Sequence, residues 1–129
     1  MTMDFVRNRT VDGRIVRIFN TYGPRMKAND GRVVSNFIYN SINGKPLVIY
    51  GDGSYTRSFC YVSDLVRGLQ TVMEADSDIA SGEVFNLGNP DEHTILEFAK
   101  NILRLTGADE RINCEPARTD DPTRRKPEI

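Results

Sequence analysis

The sequence predicts an α/β fold in which short strands alternate with amphipathic helices. Apolar, β-branched runs such as residues 15–19 are bounded by turn-forming residues, which is typical of buried strands. Between such runs, apolar residues recur at intervals of three and four, which indicates helices with one buried face. The chain has 129 residues, of which 39% are hydrophobic, so it is long enough for one modest domain with its own core.

The first half of the chain contains three predicted elements. Residues 2–9 resemble the end of a helix, and residues 14–19 have the composition of a buried strand. A second helix is predicted over residues 33–42, and it ends at Gly44 and Pro46 because neither residue type continues a helix well.

The second half continues the alternation. Residues 46–50 and 56–62 are predicted strands, and Ser63-Asp64 offers a side-chain cap for the helix that follows. The remaining predicted elements are a strand over residues 83–88, a helix that begins with a capping box of Thr94 and Glu97, and a strand over residues 111–116.

Charge and composition exclude several classes of protein. A net charge of −1 argues against a general nucleic-acid or membrane-surface binder, since either needs a basic excess. No apolar run approaches the ~20 residues of a membrane span, and the first residues lack the layout of a signal peptide. Cys60, Cys114 and the single histidine, His93, make neither a disulfide framework nor a zinc centre, so no metal and a reducing compartment are predicted.

The two ends of the sequence favour a part of a longer protein. The chain opens inside a predicted helix and closes on RRKPEI without a closing element, although frayed termini are the alternative. The charged tail before that end is either a solvated loop or a flap that closes on an anionic ligand.

Polar side chains cluster at or just after the ends of predicted strands, and ligands bind at this edge of open α/β sheets. The four places are Asn20-Thr21-Tyr22, Tyr50-Gly51-Asp52-Gly53, Arg57 within an extended stretch, and Asn86 with Gly88-Asn89. Each alone is explained by turn chemistry, since Gly, Asn and Asp dominate turns. Their recurrence favours a ligand site.

Arg57 is the most informative single residue. Its apolar neighbours Phe59 and Tyr61 predict that it is buried, and a buried guanidinium needs an anionic partner. That partner is either a carboxylate, from Asp52 or Asp64, or a ligand phosphate held by two hydrogen bonds. The local sequence leaves both possibilities open.

Four segments together carry a family resemblance. They are RIFNTYGPRM…NDGRVVSNFI, PLVIYGDGSYTRSFCYVSDLVRGL, FNLGNPDEHTILEFA and DDPTRRKPEI. In order and spacing they resemble the UDP-glucuronate decarboxylase family, within the extended short-chain dehydrogenase/reductase superfamily, over essentially the whole chain. The first two contain patterns shared by nucleotide-sugar epimerases and dehydratases, whereas GPRM…DGRVVSNF and DDP-x-x-RKP point to the decarboxylases.

The resemblance implies a fold and a reaction. Residues 1–129 would be a single partial domain: the end of the catalytic helix, the last Rossmann-type strands and the UDP-sugar-binding lobe. The chain would thus be the C-terminal substrate-binding part of an extended short-chain dehydrogenase/reductase, with the NAD-binding Rossmann fold largely missing. The implied reaction is the NAD-dependent conversion of UDP-glucuronate to UDP-xylose and CO2, by oxidation at C4, loss of CO2 and return of the hydride.

The resemblance also implies roles for individual residues. Arg125 is expected to be catalytic, because it would meet the sugar carboxylate and assist proton delivery. The expected substrate-binding residues are Asn20, Asn36, Phe37, Val48, Tyr50, Gly51 and Arg57. Of these, Arg57 would take the diphosphate. Thr21 and Arg32 are expected near NAD.

The sequence also departs from the family pattern. It contains neither the Gly-rich G-x-x-G-x-x-G loop nor the Tyr-x-x-x-Lys pair, so we expect the chain to be inactive alone. The implied partners are a UDP-sugar and, in the full-length enzyme, a second subunit of a homodimer, with no nucleic acid. The implied location is the cytoplasm, or the Golgi lumen if the full-length protein is anchored. The alternatives are another nucleotide-sugar 4,6-dehydratase or 4-epimerase, or a non-catalytic nucleotide-sugar-binding module.

Overall fold

Strands and helices alternate along the chain. The computed structural model describes residues 2–8, 11–28, 30–117, 119 and 123–129, and the side chains of Arg124 and Arg125 lie outside the description. Within these residues the helices are α1 (Thr2–Arg7), α2 (Val33–Ile42), α3 (Val62–Glu74), α4 (Ser77–Ala80) and α5 (Ile95–Thr106). The strands are β1 (Ile15–Ile18), β2 (Thr21–Tyr22), β3 (Leu47–Tyr50), β4 (Thr56–Ser58), β5 (Cys60–Tyr61), β6 (Val84–Leu87), β7 (Glu92–Thr94), β8 (Ile112–Glu115) and β9 (Arg124–Arg125). Of the helices in the described ranges, none combines the length and apolar character needed to cross a bilayer.

Most strand pairing in the described residues is parallel. β1 lies parallel to β6, β2 to β5, and β3 to β8. A further sheet has the strand order β7-β4-β9, in which β4 is antiparallel to β7 and parallel to β9. Parallel strands need crossover connections, here through helices, so the predicted α/β class is confirmed.

The main hydrophobic core lies between α2, α5 and β3. Its buried members are Phe37, Leu47, Ile49, Ala99, Ile102 and Leu103. Phe98 extends the core toward β4 by stacking on Phe59, with ring centroids 4.3 Å apart. This packing fixes β3 and β4, the two strands that carry the central polar residues of the chain.

The start of α5 confirms the predicted capping box. The Thr94 hydroxyl accepts a hydrogen bond from the Glu97 backbone N–H at 3.1 Å, and the Glu97 carboxylate accepts one from the Thr94 N–H at 3.0 Å. These bonds satisfy two donors that the first turn would otherwise leave unpaired.

Two predictions about local structure are wrong. The first strand is not buried along its length, since Ile18 is 56% exposed. An unbroken apolar run suggests a strand covered on both faces, whereas β1 belongs to a two-stranded pair with β6 in the described chain. The second error concerns α3, whose N-cap is Tyr61 rather than Ser63-Asp64, because β5 runs directly into the helix.

Several short elements are absent from the sequence-based prediction. The predicted strand over residues 56–62 divides at Phe59, because β4 pairs with β7 and β9 whereas β5 pairs with β2. β2, β7, β9 and α4 contain four residues or fewer, which is too short for a periodic pattern.

Candidate functional site

A cleft of about 1140 Å³ opens where β1, α2, β3 and β4 meet. Its wall contains eight of the ten residues to which the family resemblance assigns a role: Asn20, Thr21, Arg32, Asn36, Phe37, Val48, Tyr50 and Arg57. They come from four separate segments of the chain, so the fold brings them together. A cleft of this size is slightly larger than the ~300–1,000 Å³ of ordinary small-molecule sites, and so suits an extended ligand.

The residues just after β1 are held by their own hydrogen bonds. The Asn20 side-chain amide donates to the Ser58 carbonyl at 3.3 Å, and the Asn20 carbonyl accepts from the Cys60 N–H at 2.8 Å. The Thr21 hydroxyl donates to the Phe19 carbonyl at 2.8 Å. These bonds tie the end of β1 to the β4–β5 segment and fix one wall of the cleft.

One face of α2 forms a polar stripe along the cleft. Arg32, which is the N-cap, Asn36 and Asn40 follow at intervals of four, and all three line the cleft. Asn40 is missing from the predicted site, although this spacing is a signal that could have found it.

Asp30 anchors the start of α2. It accepts hydrogen bonds from the Ser35 hydroxyl and, at 3.0 Å, from the Arg32 N–H, and its other oxygen lies 3.5 Å from Arg32 Nε. The Ser35 hydroxyl, and after it the Arg32 N–H, lowers the pKa of the Asp30 carboxyl below its ordinary value. Asp30 is therefore ionised at neutral pH and attracts the guanidinium of Arg32.

β3 supplies Val48 and Tyr50 to the cleft. They alternate with two fully buried core residues, as expected for a strand with one face on the core. Gly51 follows directly but is not among the residues that line the cleft. Its φ is +79° and its N–H donates to the Glu115 carbonyl at 2.8 Å, so it shapes the turn that ends β3.

Arg57 is buried in β4, as the sequence predicts, with 7% of its surface exposed. Its Nη1 donates to the Thr56 carbonyl at 2.8 Å and to the Thr123 carbonyl at 3.4 Å. Of the carboxylates considered as partners, Asp52 accepts from Ser54 at 2.6 Å and Asp64 pairs with Arg67 at 2.5 Å. Both of those carboxylates therefore bond to neighbours in their own segments.

The side chain of Arg125 lies outside the description. Its backbone is in β9, in register with Arg57 of β4. The strand that carries the expected catalytic arginine is therefore the immediate neighbour of the strand that carries the buried one.

The cleft wall also contains residues that sequence reasoning missed. Tyr55 lies between the Asp52-Gly53 turn and Arg57, and an aromatic residue directly after such a turn is a usable signal. Met26 and Phe59 also line the cleft. An apolar side chain looks the same in a core and in a binding site, so the sequence could not single them out.

The described residues do not by themselves fit a whole dinucleotide such as NAD. Thr21 and Arg32 line the cleft, but the Thr21 hydroxyl is bonded to Phe19 and Arg32 faces Asp30. A dinucleotide pyrophosphate is usually held by a Gly-rich loop at a helix N-terminus, and the 129 residues contain no G-x-x-G-x-x-G pattern.

Cys60, which follows the cleft residue Phe59, is a buried free cysteine. Burial, and to a lesser degree the nearby Asp64, raises the pKa of the Cys60 thiol, which leaves it unreactive at neutral pH. Among the described residues, no group of three or more His, Cys, Asp or Glu side chains is arranged to hold a metal ion.

The chain is similar in sequence to known proteins over its whole length. UDP-glucuronic acid decarboxylase 4 of Arabidopsis thaliana is 50% identical over all 129 residues, and UDP-glucuronic acid decarboxylase 1 of Danio rerio is 51% identical over the same length. The chain spans 28% and 30% of those two proteins. The resemblance to decarboxylases that the motifs predict is confirmed by these identities.

A solved structure and a family model give the same grouping. UDP-glucuronic acid 4-epimerase from Bacillus cereus, in complex with UDP-glucuronic acid and NAD, matches 98% of this chain with a TM-score of 0.84 and 28% identity, and the chain covers 39% of it. The model of the NAD dependent epimerase/dehydratase family matches residues 1–88. The family model covers more than half of the chain, and the cleft and the parallel strand pairs are consistent with it. The chain therefore belongs to the NAD dependent epimerase/dehydratase family.

Proposed function

We propose that the chain forms the UDP-sugar-binding part of a UDP-glucuronate decarboxylase, which converts UDP-glucuronate to UDP-xylose and CO2. The cleft carries this proposal, because residues that the decarboxylase resemblance assigns to the UDP-sugar come from four segments and line one cavity of about 1140 Å³. Identity of 50% to a curated decarboxylase over the whole chain supports it.

Arg57 is the residue proposed to bind the diphosphate. Because it is 7% exposed, its attraction to a phosphate is screened less than at the surface. Its planar guanidinium matches two phosphate oxygens at once. Tyr50 offers aromatic surface for the uridine, whereas Phe37 lines the same cleft with only 3% of its surface exposed. Asn20 offers an amide for the sugar.

Arg125 is the residue proposed to meet the sugar carboxylate. In a nucleotide hexuronate the diphosphate on C1 and the carboxylate on C5 both flank the ring oxygen, so the two anionic groups lie near each other. Neighbouring strands are ~4.8 Å apart, and β9 is in register with Arg57. The high pKa of an arginine suits a carboxylate clamp more than a proton donor.

NAD is the proposed cofactor, in keeping with the family. Thr21 and Arg32 are proposed to lie near it, and we place the rest of its site outside these 129 residues. Inactivity of the chain alone stays a prediction, since it depends on the missing Tyr-x-x-x-Lys pair and Gly-rich loop.

Other features of the whole enzyme are also proposals. We place the end of the catalytic helix in α1 and Rossmann-type strands in β1 and β6, with the remaining residues as the UDP-sugar-binding lobe of a single partial domain. A homodimer is supported by Phe5 on α1, which is 52% exposed. The proposed location is the cytoplasm, with the Golgi lumen as the alternative.

Ligand preference tests the proposal. We expect the chain to bind UDP-glucuronate more tightly than UDP-glucose, which lacks the carboxylate. Arg125→Ala should reduce that preference about tenfold, because a hydrogen bond to a charged group contributes ~1.5–3 kcal/mol. Isothermal titration calorimetry measures both ligands. Arg104→Ala, in an exposed arginine of α5 outside the cleft, is the matched control. Equal affinity of the unmodified chain for the two sugars would contradict a hexuronate substrate and favour a neutral-hexose epimerase or dehydratase.

A UDP-glucuronate 4-epimerase is the second candidate, because the Bacillus cereus enzyme of that name matches 98% of the chain. Such an enzyme also handles a hexuronate, so ligand preference does not separate it from a decarboxylase. The two differ in whether the carboxylate leaves, and CO2 release by a catalytically complete enzyme carrying this chain distinguishes them.

A further inference from the structure

The last seven residues, 123–129, form a segment that we call the C-terminal strap. It contains β9, which pairs with β4 so that Arg124 is in register with Thr56 and Arg125 with Arg57. The Thr56 N–H also donates to the Thr123 carbonyl at 3.1 Å. The strap is therefore the third strand of the sheet that holds the buried arginine.

Glu92, in β7, connects the strap to the other two strands of that sheet. One oxygen of its carboxylate accepts from the Thr56 hydroxyl at 2.8 Å, and the other lies 3.7 Å from Lys126 Nζ. The side chains of Glu92 and Lys126 are 19% and 38% exposed, so the pair is partly shielded from solvent. The attraction within a partly shielded ion pair is stronger than that within a pair at the open surface, because water screens it less.

Beyond Lys126, the strap crosses the carboxyl end of β6. Pro127 is fully buried, and a Cβ on Gly88 would come within 2.9 Å of its ring. The Asn86 side-chain amide donates to the Glu128 carbonyl at 2.7 Å. Asn86, within β6, and Gly88, directly after it, belong to one of the polar clusters that the sequence singles out, and here they contact the strap.

We propose that Glu92, Asn86 and Gly88 are positioning residues that dock the C-terminal strap and thereby hold Arg125 one strand from Arg57. This inference rests on the proposed function. When the strap is released, β9 separates from β4, and the part of ligand affinity that depends on the sugar carboxylate is lost. The part that depends on UDP is reduced much less, because β3, α2 and the end of β1 do not belong to the strap and Arg57 loses only its longer bond, the one to the Thr123 carbonyl at 3.4 Å.

Two conservative variants release the strap without emptying the core. Glu92→Gln keeps an acceptor for Thr56 but removes the charge opposite Lys126, and Asn86→Asp removes the donor to the Glu128 carbonyl. Asp64→Asn is the matched control, since it makes the same acid-to-amide change in the exposed Asp64–Arg67 pair of α3.

The first measurement needs no ligand. Trypsin cleaves after arginine, and pairing of β9 with β4 protects the bonds after Arg124 and Arg125. We expect cleavage there, followed by mass spectrometry, to be several-fold faster in Glu92→Gln and Asn86→Asp and unchanged in Asp64→Asn. Unchanged cleavage in both strap variants would overturn the docking role.

The second measurement separates positioning from docking. Calorimetry should show that Glu92→Gln lowers the affinity for UDP-glucuronate several-fold while the affinity for UDP stays within about twofold. If the ion pair carries the effect, the double variant Glu92→Gln with Lys126→Gln loses no more than either single variant. Faster cleavage with unaltered ligand preference would overturn the positioning role. Binding of neither ligand by the unmodified chain would overturn the proposed function and the positioning role with it, while trypsin cleavage would still judge docking.

Discussion

At the scale of single residues, Arg25 adopts a backbone conformation that its side chain disfavours. The φ angle of Arg25 is +71°, and among the described residues it is the one residue other than glycine with a positive φ. It follows Pro24, and a Pro-X corner with positive φ at X is typical of a type II turn, which prefers Gly or Asn there. Met26, the next residue, lines the cleft, so this turn leads into the site.

We expect Arg25→Gly to raise the free energy of unfolding by about 1 kcal/mol, because glycine has no Cβ to oppose a positive φ. Urea denaturation followed by circular dichroism measures the change. Arg25→Ala is the control, since it keeps the Cβ and should bring no such gain. A glycine variant that is less stable than the unmodified chain would contradict this account of the turn.

Some of the site residues could be predicted from their neighbours in the sequence, and others could not. Burial of Arg57 was predictable from its apolar neighbours and is confirmed. Asn40 could have been found from its spacing to Asn36, whereas Met26 and Phe59 could not, since nothing in an apolar residue type distinguishes a cleft from a core. Membership of one cleft depends on four segments meeting, and only the tertiary structure determines that.

At the scale of elements, the C-terminal end of α3 depends on a side chain from another part of the chain. Arg14 Nη1 donates to the carbonyls of Val72 and Met73 at 2.5 and 2.6 Å. Its guanidinium also pairs with Asp12 at 2.9 Å, and Asp12 accepts from the Ser77 hydroxyl at 2.5 Å. A cation at this position satisfies unpaired carbonyls and complements the helix dipole.

This arrangement predicts a pH dependence of stability. The Ser77 hydroxyl, and after it Arg14, lowers the pKa of the Asp12 carboxyl in the folded state. The ionised Asp12 carboxylate therefore adds its full contribution to the free energy of unfolding above the ordinary aspartate pKa of ~3.9. That contribution is lost as the pH falls through the lowered pKa of the folded state. We expect the difference in urea midpoint between the unmodified chain and Asp12→Asn to be largest near pH 7 and to close below about pH 4.

The Ser77→Ala variant provides the control for this titration. Because it removes the largest cause of the lowered pKa, its urea midpoint should vary less with pH over the acid range than that of the unmodified chain. A difference between the unmodified chain and Asp12→Asn that stays constant down to pH 3 would show that the charge of Asp12 contributes nothing.

Length separates the elements that the sequence predicts from those it does not. α2, α3 and α5 have ten or more residues, and each shows a helical pattern. β9 is a strand of two residues within the charged tail, and it forms because it pairs with β4, so no local sequence pattern predicts it. The cap of α3 was misassigned for a related reason, since the pairing of β5 with β2 decides where the helix begins.

At the scale of the whole molecule, the cleft and the strap form one arrangement around β4. The core under α2 and α5 fixes β3, stacking of Phe98 on Phe59 adjoins β4, and the strap pairs along the far edge of β4. Arg57 lies at the centre of this arrangement, with its carbonyl partners in β4 itself and in the strap. This arrangement supports the proposed binding of a uridine diphosphate in the cleft.

The most direct test is a calorimetric titration of the chain with UDP, with the unmodified chain beside Arg57→Ala. We expect saturable binding that Arg57→Ala weakens about thirty-fold, since a charge-assisted hydrogen bond is worth ~2 kcal/mol. Arg57→Gln provides a second variant that retains a donor for the Thr56 carbonyl, and Arg67→Ala is the control outside the cleft. Circular dichroism confirms that each variant is folded. Absence of UDP binding by the folded, unmodified chain, or equal binding by Arg57→Ala and Arg67→Ala, would contradict a diphosphate site at Arg57.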